Sequence, residues 1–168
     1  MIRTLFQIFK TGIVTENVLG RDADNIEVLG SKLSKIIKKR FRGSLTIRQI
    51  DAGSCNGCEL EIHALNNSIY NIEQYGVRFT ASPRFADLLL VTGPVTLNME
   101  IALKRTYEAT PTPKLVVAVG DCGCGQGIFD ENYATIGAID KVIPVDARIK
   151  GCPPTPAALL NGILQAIS

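Results

Sequence analysis

The sequence contains no tryptophan, a single histidine, and only ten phenylalanine and tyrosine residues among 168 positions. With so few aromatic side chains, we expect no stacking surface for nucleic-acid bases. Lysine and arginine number 18 and aspartate and glutamate 16, so the formal net charge is only +2. Because nucleic-acid binding depends on a large excess of basic residues, we expect no nucleic acid among the partners.

Long apolar runs are also missing from the sequence. No stretch approaches the roughly 20 apolar residues needed to cross a bilayer, so we expect no membrane-spanning helix. Gln7 and Lys10 interrupt the first apolar residues, and no small-residue cleavage site follows them. We therefore expect no secretory signal, and cysteine thiols that stay reduced and free to bind metal.

The first 43 residues differ from the rest of the chain. Apolar residues recur at helical spacing within residues 2–13 and again within residues 29–37, where basic residues surround them. We interpret residues 1–43 as an N-terminal amphipathic arm of one or two helices that lies outside the core. Since the apolar face of residues 2–13 is too large to remain exposed, we expect it to dock on a membrane subunit or another peripheral subunit; direct contact with lipid is the second interpretation.

Residues 44–168 alternate between strand and helix patterns and form the main domain. The predicted helices cover residues 59–70, a segment around residues 99–103, and a final helix capped by Thr155 with Pro156 in its first turn. This alternation predicts an α/β fold with a parallel sheet and helices on both faces. The predicted strands cover residues 45–50, 77–80, 87–92, 114–120 and 141–145.

Five cysteines are the most informative feature of the sequence. Cys55 and Cys58 form a CxxC motif, Cys122 and Cys124 follow the strand at 114–120, and Cys152 follows the last predicted strand. Ligands of parallel sheets bind beyond the carboxyl ends of the strands, so the three cysteine loops should meet at one edge. We therefore predict a shared metal site there.

Four thiolates can hold either zinc or an iron–sulfur cluster. One CxxC joined by two isolated cysteines, on a domain large enough to fold alone, favours the cluster. The proline directly after Cys152 points the same way, since a Cys–Pro step occurs in iron–sulfur sites. A thioredoxin-like redox pair would explain only two of the cysteines.

The residues alone do not decide which cysteine is the fourth ligand. Cys55, Cys58 and Cys152 have no competitor in their loops, but Cys122 and Cys124 are two positions apart. Cys122 directly follows the predicted strand and its turn. The ordinary interpretation of Cys124 is a small residue packed nearby.

Several motifs together resemble the small subunit of the group 4 nickel–iron hydrogenases, which are energy-converting and membrane-bound. That family is homologous to the 20 kDa-type subunit of respiratory complex I. The resemblance covers about residues 44–167. Its motifs are Cys-Asn-Gly-Cys-Glu at 55–59 and the segments 82–87, 91–96, 120–122 with 127–129, 140–146 and 151–156.

The resemblance implies a flavodoxin-like domain without flavin, with one 4Fe–4S cluster bound by Cys55, Cys58, Cys122 and Cys152. It implies an oxidoreductase subunit whose cluster relays electrons between a nickel–iron site on the large subunit and a ferredoxin-like subunit. Integral membrane subunits would complete the complex, with this chain peripheral on the cytoplasmic side of the cell membrane. Glu59 is a candidate proton relay, although an acid in a first helical turn needs no such role.

One departure from complex I bears on the choice of function. Complex I subunits carry two adjacent cysteines where this chain has Cys55 and Cys58 separated by two residues. The separated spacing is the hydrogenase-like form. The alternative is the equivalent cluster subunit of a complex I-like quinone, F420 or sulfur-compound oxidoreductase.

Overall fold

The computed structural model describes residues 22–129 and 131–168, so the apolar segment 2–13 lies outside the described residues. The helices are α1 (Asp22–Arg40), α2 (Gly57–Ala64), α3 (Leu97–Ala109), α4 (Gly120–Gly123) and α5 (Pro156–Ile167). The strands are β1 (Leu45–Asp51), β2 (Val77–Phe79), β3 (Leu88–Thr92), β4 (Val95–Thr96), β5 (Leu115–Val119), β6 (Thr135–Gly137) and β7 (Ala147–Ile149). Short 3₁₀ segments cover Ile72–Tyr75, Pro83–Phe85 and Ile139–Lys141.

Five strands form a parallel sheet in the order β2-β1-β3-β5-β7. The order reverses next to β1, as in flavodoxin-like doubly wound sheets, so the predicted fold class is confirmed. All five residues of β3 are buried, as its unbroken apolar run predicted. The remaining strands, β4 and β6, form a separate antiparallel pair.

Helices cover both faces of the sheet. On the first face, α1, α2 and α5 pack against β1 and β3 through a cluster that includes Leu33, Ile62 and Ile163. On the second face, Leu103 of α3 packs with Val91 and other sheet residues. Each fully buried leucine or isoleucine contributes about 1.5–3 kcal/mol relative to an exposed one, so these two layers hold the sheet in place.

Helix α1 belongs to the core, and the expectation that the arm lies outside the core is wrong for residues 22–40. Leu33 and Ile37 are fully buried against the first face of the sheet. The guanidinium of Arg40 donates a hydrogen bond to the carbonyl of Ile167 and so ties α1 to α5. A parallel sheet needs cover on both faces, and α1 supplies part of it.

The helix predicted after the CxxC motif is shorter in the structure than expected from the sequence. The helix expected over 59–70 stops at Ala64, and Ile69 is 75% exposed rather than on a buried face. The Asn67 side chain accepts hydrogen bonds from the backbone N–H groups of Ile69 and Tyr70, which replaces helical hydrogen bonds with a local turn.

The last strand is β7 at 147–149, not 141–145. Ile139 and Ile143 are buried in the second-face cluster, so the apolar pattern of this segment anchors a loop. Pro144 has no backbone N–H to donate to a sheet. The carboxylate of Asp146 instead accepts the N–H of Val116 at 2.7 Å and fixes the entry to β7.

Helix α5 begins as predicted. The Thr155 hydroxyl accepts the backbone N–H of Ala158 at 3.3 Å, and Pro156 occupies the first turn. Within the described ranges, every helix is too short or too polar to cross a membrane.

Candidate metal centre

Four of the five cysteines line one pocket at the carboxyl edge of the sheet. Cys55 and Cys58 lie on the segment after β1, Cys122 follows β5, and Cys152 follows β7. Cys55 and Cys152 are exposed, whereas Cys58 and Cys122 are partly buried. The remaining wall consists of Ser54, Gly57, Gly93, Pro94, Asp121, Gly151 and Pro153.

The loop after β1 is shaped by its own hydrogen bonds. The Asp51 carboxylate accepts the backbone N–H groups of Gly53 and Ser54, each at 2.8 Å. The Ser54 hydroxyl then accepts the N–H of Asn56 at 3.1 Å. Because these contacts fix the backbone before α2 begins, Cys55 is placed in the loop and Cys58 in the first turn of the helix.

Asp121 joins the other two cysteine loops. Its backbone N–H donates to the carbonyl of Gly151 at 3.0 Å, and its carboxylate accepts the Gly151 N–H at 2.8 Å. This reciprocal pair links the loop of Cys122 to the loop of Cys152. Sequence reasoning did not find Asp121, because nothing in its local pattern shows a partner thirty positions away.

Two glycines allow the sulfur atoms to approach the backbone. A β-carbon at Gly120 would lie 2.6 Å from the Cys58 Sγ atom, and one at Gly127 would lie 2.4 Å from the Cys122 Sγ atom. Both distances are far below van der Waals contact. The role of Gly127 was not predicted from the sequence.

Cys124 has a different environment from the four pocket cysteines. Its Sγ atom lies 3.8 Å from the carbonyl oxygens of Ala118 and Ile149, and the side chain packs against the second-face cluster. It does not contribute to the wall of the pocket. The structure therefore places Cys122, and not Cys124, with the other three cysteines.

Burial and mutual proximity disfavour the thiolate form in the protein alone. Burial, reinforced by Glu59 and the other three pocket cysteines, raises the pKa of Cys58 to about 12. Burial also raises the pKa of Cys122, while a hydrogen bond from the backbone of Phe129 opposes the rise. Thiolates gathered in this way need a cationic centre, and metal binding would release their protons.

The chemistry of this donor set fits a cluster. In [4Fe–4S] proteins four cysteine thiolates ligate the cluster, each on its own iron, so the sulfurs need to face a common space without converging on one point. Among the residues that the structure describes, no three His, Cys, Asp or Glu side chains are grouped closely enough to hold a single metal ion. The pocket supplies four thiols, and its carboxylate, that of Asp121, is already hydrogen-bonded.

The candidate proton relay Glu59 is buried, whereas the single histidine is exposed and lies away from this pocket. Glu59 follows Cys58 in α2, is only 5% exposed, and has no hydrogen-bond partner for either carboxyl oxygen among the described residues. His63 is exposed and lines a different pocket with Arg48 and Asn66.

Comparison with known proteins identifies the family of the chain. Residues 55–166 match the family described as NADH ubiquinone oxidoreductase, 20 Kd subunit. Formate hydrogenlyase subunit 7 of Escherichia coli is 42% identical over 159 residues, covering 90% of this chain and 62% of that protein. The probable membrane-bound hydrogenase subunit mbhJ of Pyrococcus furiosus is 47% identical over 118 residues, covering 70% of this chain and 71% of that protein.

A solved structure matches as well. A chain of the membrane-bound sulfane sulfur reductase (MBS), an archaeal respiratory membrane complex, superposes with a TM-score of 0.66 at 38% identity, covering 80% of this chain and 72% of that chain. This chain spans less than two thirds of the length of formate hydrogenlyase subunit 7. The family match nonetheless includes all five cysteines and more than half of the sequence. The chain therefore belongs to the family of the NADH ubiquinone oxidoreductase 20 Kd subunit, whose members here are subunits of hydrogenases and related oxidoreductases.

Proposed function

We propose that this chain is the electron-transfer small subunit of a membrane-bound nickel–iron hydrogenase complex and carries one 4Fe–4S cluster. The observation that carries the proposal is the meeting of Cys55, Cys58, Cys122 and Cys152 in one pocket at the carboxyl edge of the sheet. The similarity to formate hydrogenlyase subunit 7 and to mbhJ supports the choice of complex.

In this proposal the four pocket cysteines hold the cluster, which supplies one-electron redox chemistry when bound. Gly120 and Gly127 leave room for the sulfur atoms of Cys58 and Cys122. Asp121 keeps the loops of Cys122 and Cys152 in register. The chain itself would bind no substrate, so the reaction would take place on the partner.

The exposed side of the cysteine pocket is the surface on which the proposed partner would dock. Cys55 and Cys152 are exposed, and the exposed Phe129 lines a small pocket with Cys55. Ile128, next to Phe129 in the sequence, is exposed as well. A hydrogenase large subunit would cover this edge and place its nickel–iron site next to the cluster. Electrons would pass on to a ferredoxin-like subunit, and integral membrane subunits would hold the assembly on the cytoplasmic side of the membrane.

A second candidate function keeps the cluster and changes the partner. The match to the sulfane sulfur reductase chain favours a complex I-like oxidoreductase of a sulfur compound, with quinone and F420 as other substrates of that class. Nickel content of the purified complex separates the two. A stoichiometric nickel content supports the hydrogenase, and a nickel-free, active complex supports the alternative.

Replacement of single cysteines tests the ligand set. Serine in place of Cys55, Cys58, Cys122 or Cys152 should remove most of the cluster iron, because a hard hydroxyl replaces a soft thiolate. Cys124→Ser is the matched control and should keep both the iron and the electron paramagnetic resonance signal. Iron retained in Cys122→Ser but lost in Cys124→Ser would reverse the assignment, and colourless protein with bound zinc would overturn the cluster.

Glu59 stays a candidate proton relay within the proposed complex. Its burial beside Cys58, with no hydrogen-bond partner among the described residues, supports this role. Glu59→Gln should slow proton reduction by the complex while iron content and the cluster spectrum stay unchanged. An unchanged rate would assign Glu59 to packing alone.

A further inference from the structure

A second pocket lies at the opposite edge of the sheet from the cysteines. Its residues come from the segments that precede β1, β3 and β5, so they meet at the amino ends of the strands. We call it the basic edge pocket, and its open volume is about 400 Å³. It is lined by Arg40, Phe41, Arg42, Arg84, Phe85, Ala86, Asp87, Pro111, Thr112 and Pro113.

Three arginines and one aspartate give this pocket a positive charge. The carboxylate of Asp87 accepts the backbone N–H of Thr46 at 2.9 Å, and the guanidinium of Arg40 is bound to the carbonyl of Ile167. Arg42 and Arg84 are exposed, and neither makes a hydrogen bond or ion pair with another described residue. Among the described residues, these two planar donor groups are therefore available to bind an anion.

The helix dipole accounts for only part of this charge. Of the three pocket arginines, Arg40 lies in the last turn of α1, where cations are favoured by the dipole. Arg42 lies beyond that turn, and Arg84 lies on a different segment of the chain. The helix dipole therefore does not explain why Arg42 and Arg84 both line the pocket.

An exposed aromatic residue adds an apolar component. Phe85, next to Arg84, is 74% exposed, and Pro111 and Pro113 are exposed on the same rim. Arginine beside an exposed phenylalanine is typical of surfaces at the boundary between lipid headgroups and acyl chains. An acidic protein surface would match the arginines but would leave Phe85 without an apolar partner.

We propose that the basic edge pocket binds the phosphate of an anionic phospholipid headgroup. Arg42 and Arg84 donate to the phosphate oxygens, since the guanidinium fork suits bidentate phosphate binding, and Phe85 enters the boundary of the acyl chains. This lipid site rests on the proposed function only in that the chain is taken to lie in a membrane complex.

Vesicle binding by the full chain, purified without oxygen, tests this site. The probes are vesicles of phosphatidylcholine alone and of phosphatidylcholine mixed with phosphatidylglycerol. Arg42→Glu with Arg84→Glu should raise the concentration of mixed vesicles needed for half binding about tenfold or more, because each basic residue near an anionic surface strengthens binding severalfold. Binding of the unaltered chain should weaken as salt rises.

The matched control reverses the same number of arginines elsewhere. Arg78 on β2 and Arg105 on α3 are exposed and lie outside the basic edge pocket. Arg78→Glu with Arg105→Glu should change half binding by less than about twofold. Equal losses in the two double variants would show attraction by net charge alone and overturn the site, as would an unaltered chain that ignores phosphatidylglycerol.

Further arms separate the other sources of an anion. If inorganic phosphate binds the unaltered chain through Arg42 and Arg84 while vesicles containing phosphatidylglycerol do not bind, the pocket binds free phosphate and the lipid assignment fails. If the pocket variant binds vesicles normally but no longer assembles with the membrane subunits, the partner is an acidic protein surface. Circular dichroism and iron content of each sample report folding and the cluster, so loss of the proposed cluster function is seen separately from loss of lipid binding.

Discussion

Individual atoms decide which side chains the cysteine pocket accepts. Gly127 has no room for a methyl group, because a β-carbon there would lie 2.4 Å from the Cys122 Sγ atom and 2.6 Å from the Cys122 Cα atom. The second of these contacts is with backbone, which cannot rotate away as a side chain can. Gly57 borders the same pocket, but its β-carbon would meet the Cys55 Sγ atom at an ordinary 3.6 Å.

Alanine at these two glycines should therefore give opposite results. Gly127→Ala should displace Cys122 and lower the iron content of the purified subunit severalfold. Gly57→Ala should leave the iron content unchanged, since Gly57 lies in α2 and alanine favours a helix. Iron analysis and the electron paramagnetic resonance spectrum measure both variants, and full iron in Gly127→Ala would show that Cys122 is not a ligand.

The thiol of Cys58 should show the effect of its surroundings in protein freed of the cluster. Burial, Glu59 and the neighbouring thiols raise its pKa from 9.0 to about 12, so it stays protonated at pH 8. Since the thiolate is the reactive form, iodoacetamide should label Cys58 more slowly than the exposed Cys55 and Cys152.

The same shift has a consequence for stability. A pKa raised in the folded state means that the folded protein holds the Cys58 proton more tightly than the unfolded chain does. The stability of the cluster-free protein should therefore fall as pH rises from about 9 to about 12.

Mass spectrometry after timed reaction with iodoacetamide measures the labelling rate of each cysteine. Labelling of Cys58 as fast as Cys55 would contradict the burial that the structure shows.

At the scale of elements, helix α1 makes the sharpest test. Leu33 is fully buried between α1 and the sheet, whereas Val28 in the same helix is 52% exposed. Leu33→Ala should lower the free energy of unfolding by about 2–5 kcal/mol, and Val28→Ala by less than about 0.5 kcal/mol. Chemical denaturation of the two variants measures the difference. Equal, small effects of the two substitutions would indicate that α1 lies outside the core.

The elements best predicted from sequence are those buried on both sides. The apolar run of β3 could belong to no other type of element of that length, and the predicted bounds differ from the observed ones by one residue. The segment 141–145 was wrongly predicted as a strand because its apolar residues have the spacing that is typical of a strand. Ile143 instead lies in a loop and is buried against the second face of the sheet. The carboxylate of Asp146, which accepts a hydrogen bond from the N–H of Val116, fixes where β7 begins.

The site was predictable to the extent that topology fixes it. Parallel strands deliver their following loops to one edge, which brought Cys55, Cys122 and Cys152 together in the prediction and in the structure. The exclusion of Cys124 depends on the direction of a side chain in a short turn, and the role of Asp121 depends on a long-range pair of hydrogen bonds. Neither leaves a periodic signal in the sequence.

At the scale of the whole molecule, the two edges of the sheet differ in chemistry. The carboxyl edge carries the thiols and exposed apolar side chains: Ile128 is 84% exposed and Phe129 45% exposed. The amino edge carries the arginines of the basic edge pocket. If one edge meets the large subunit and the other meets lipid, the sheet spans the distance between them and sets the height of the cluster above the membrane.

Loss of the apolar surface beside the cysteines should therefore separate assembly from cluster binding. Phe129 lines a small pocket with Cys55, and a large subunit docked there would exclude water and oxygen from the thiols. Ile128→Ser with Phe129→Ser should reduce co-purification with the proposed large subunit severalfold and make the proposed cluster more sensitive to air, because water-exposed clusters are readily oxidised. Iron content under anoxic conditions should stay the same, since neither side chain is a ligand. Ile69→Ser is the control: Ile69 is 75% exposed but lies away from the cysteine pocket, so it should assemble normally. Normal assembly of the double variant would place the large subunit on another surface of the chain.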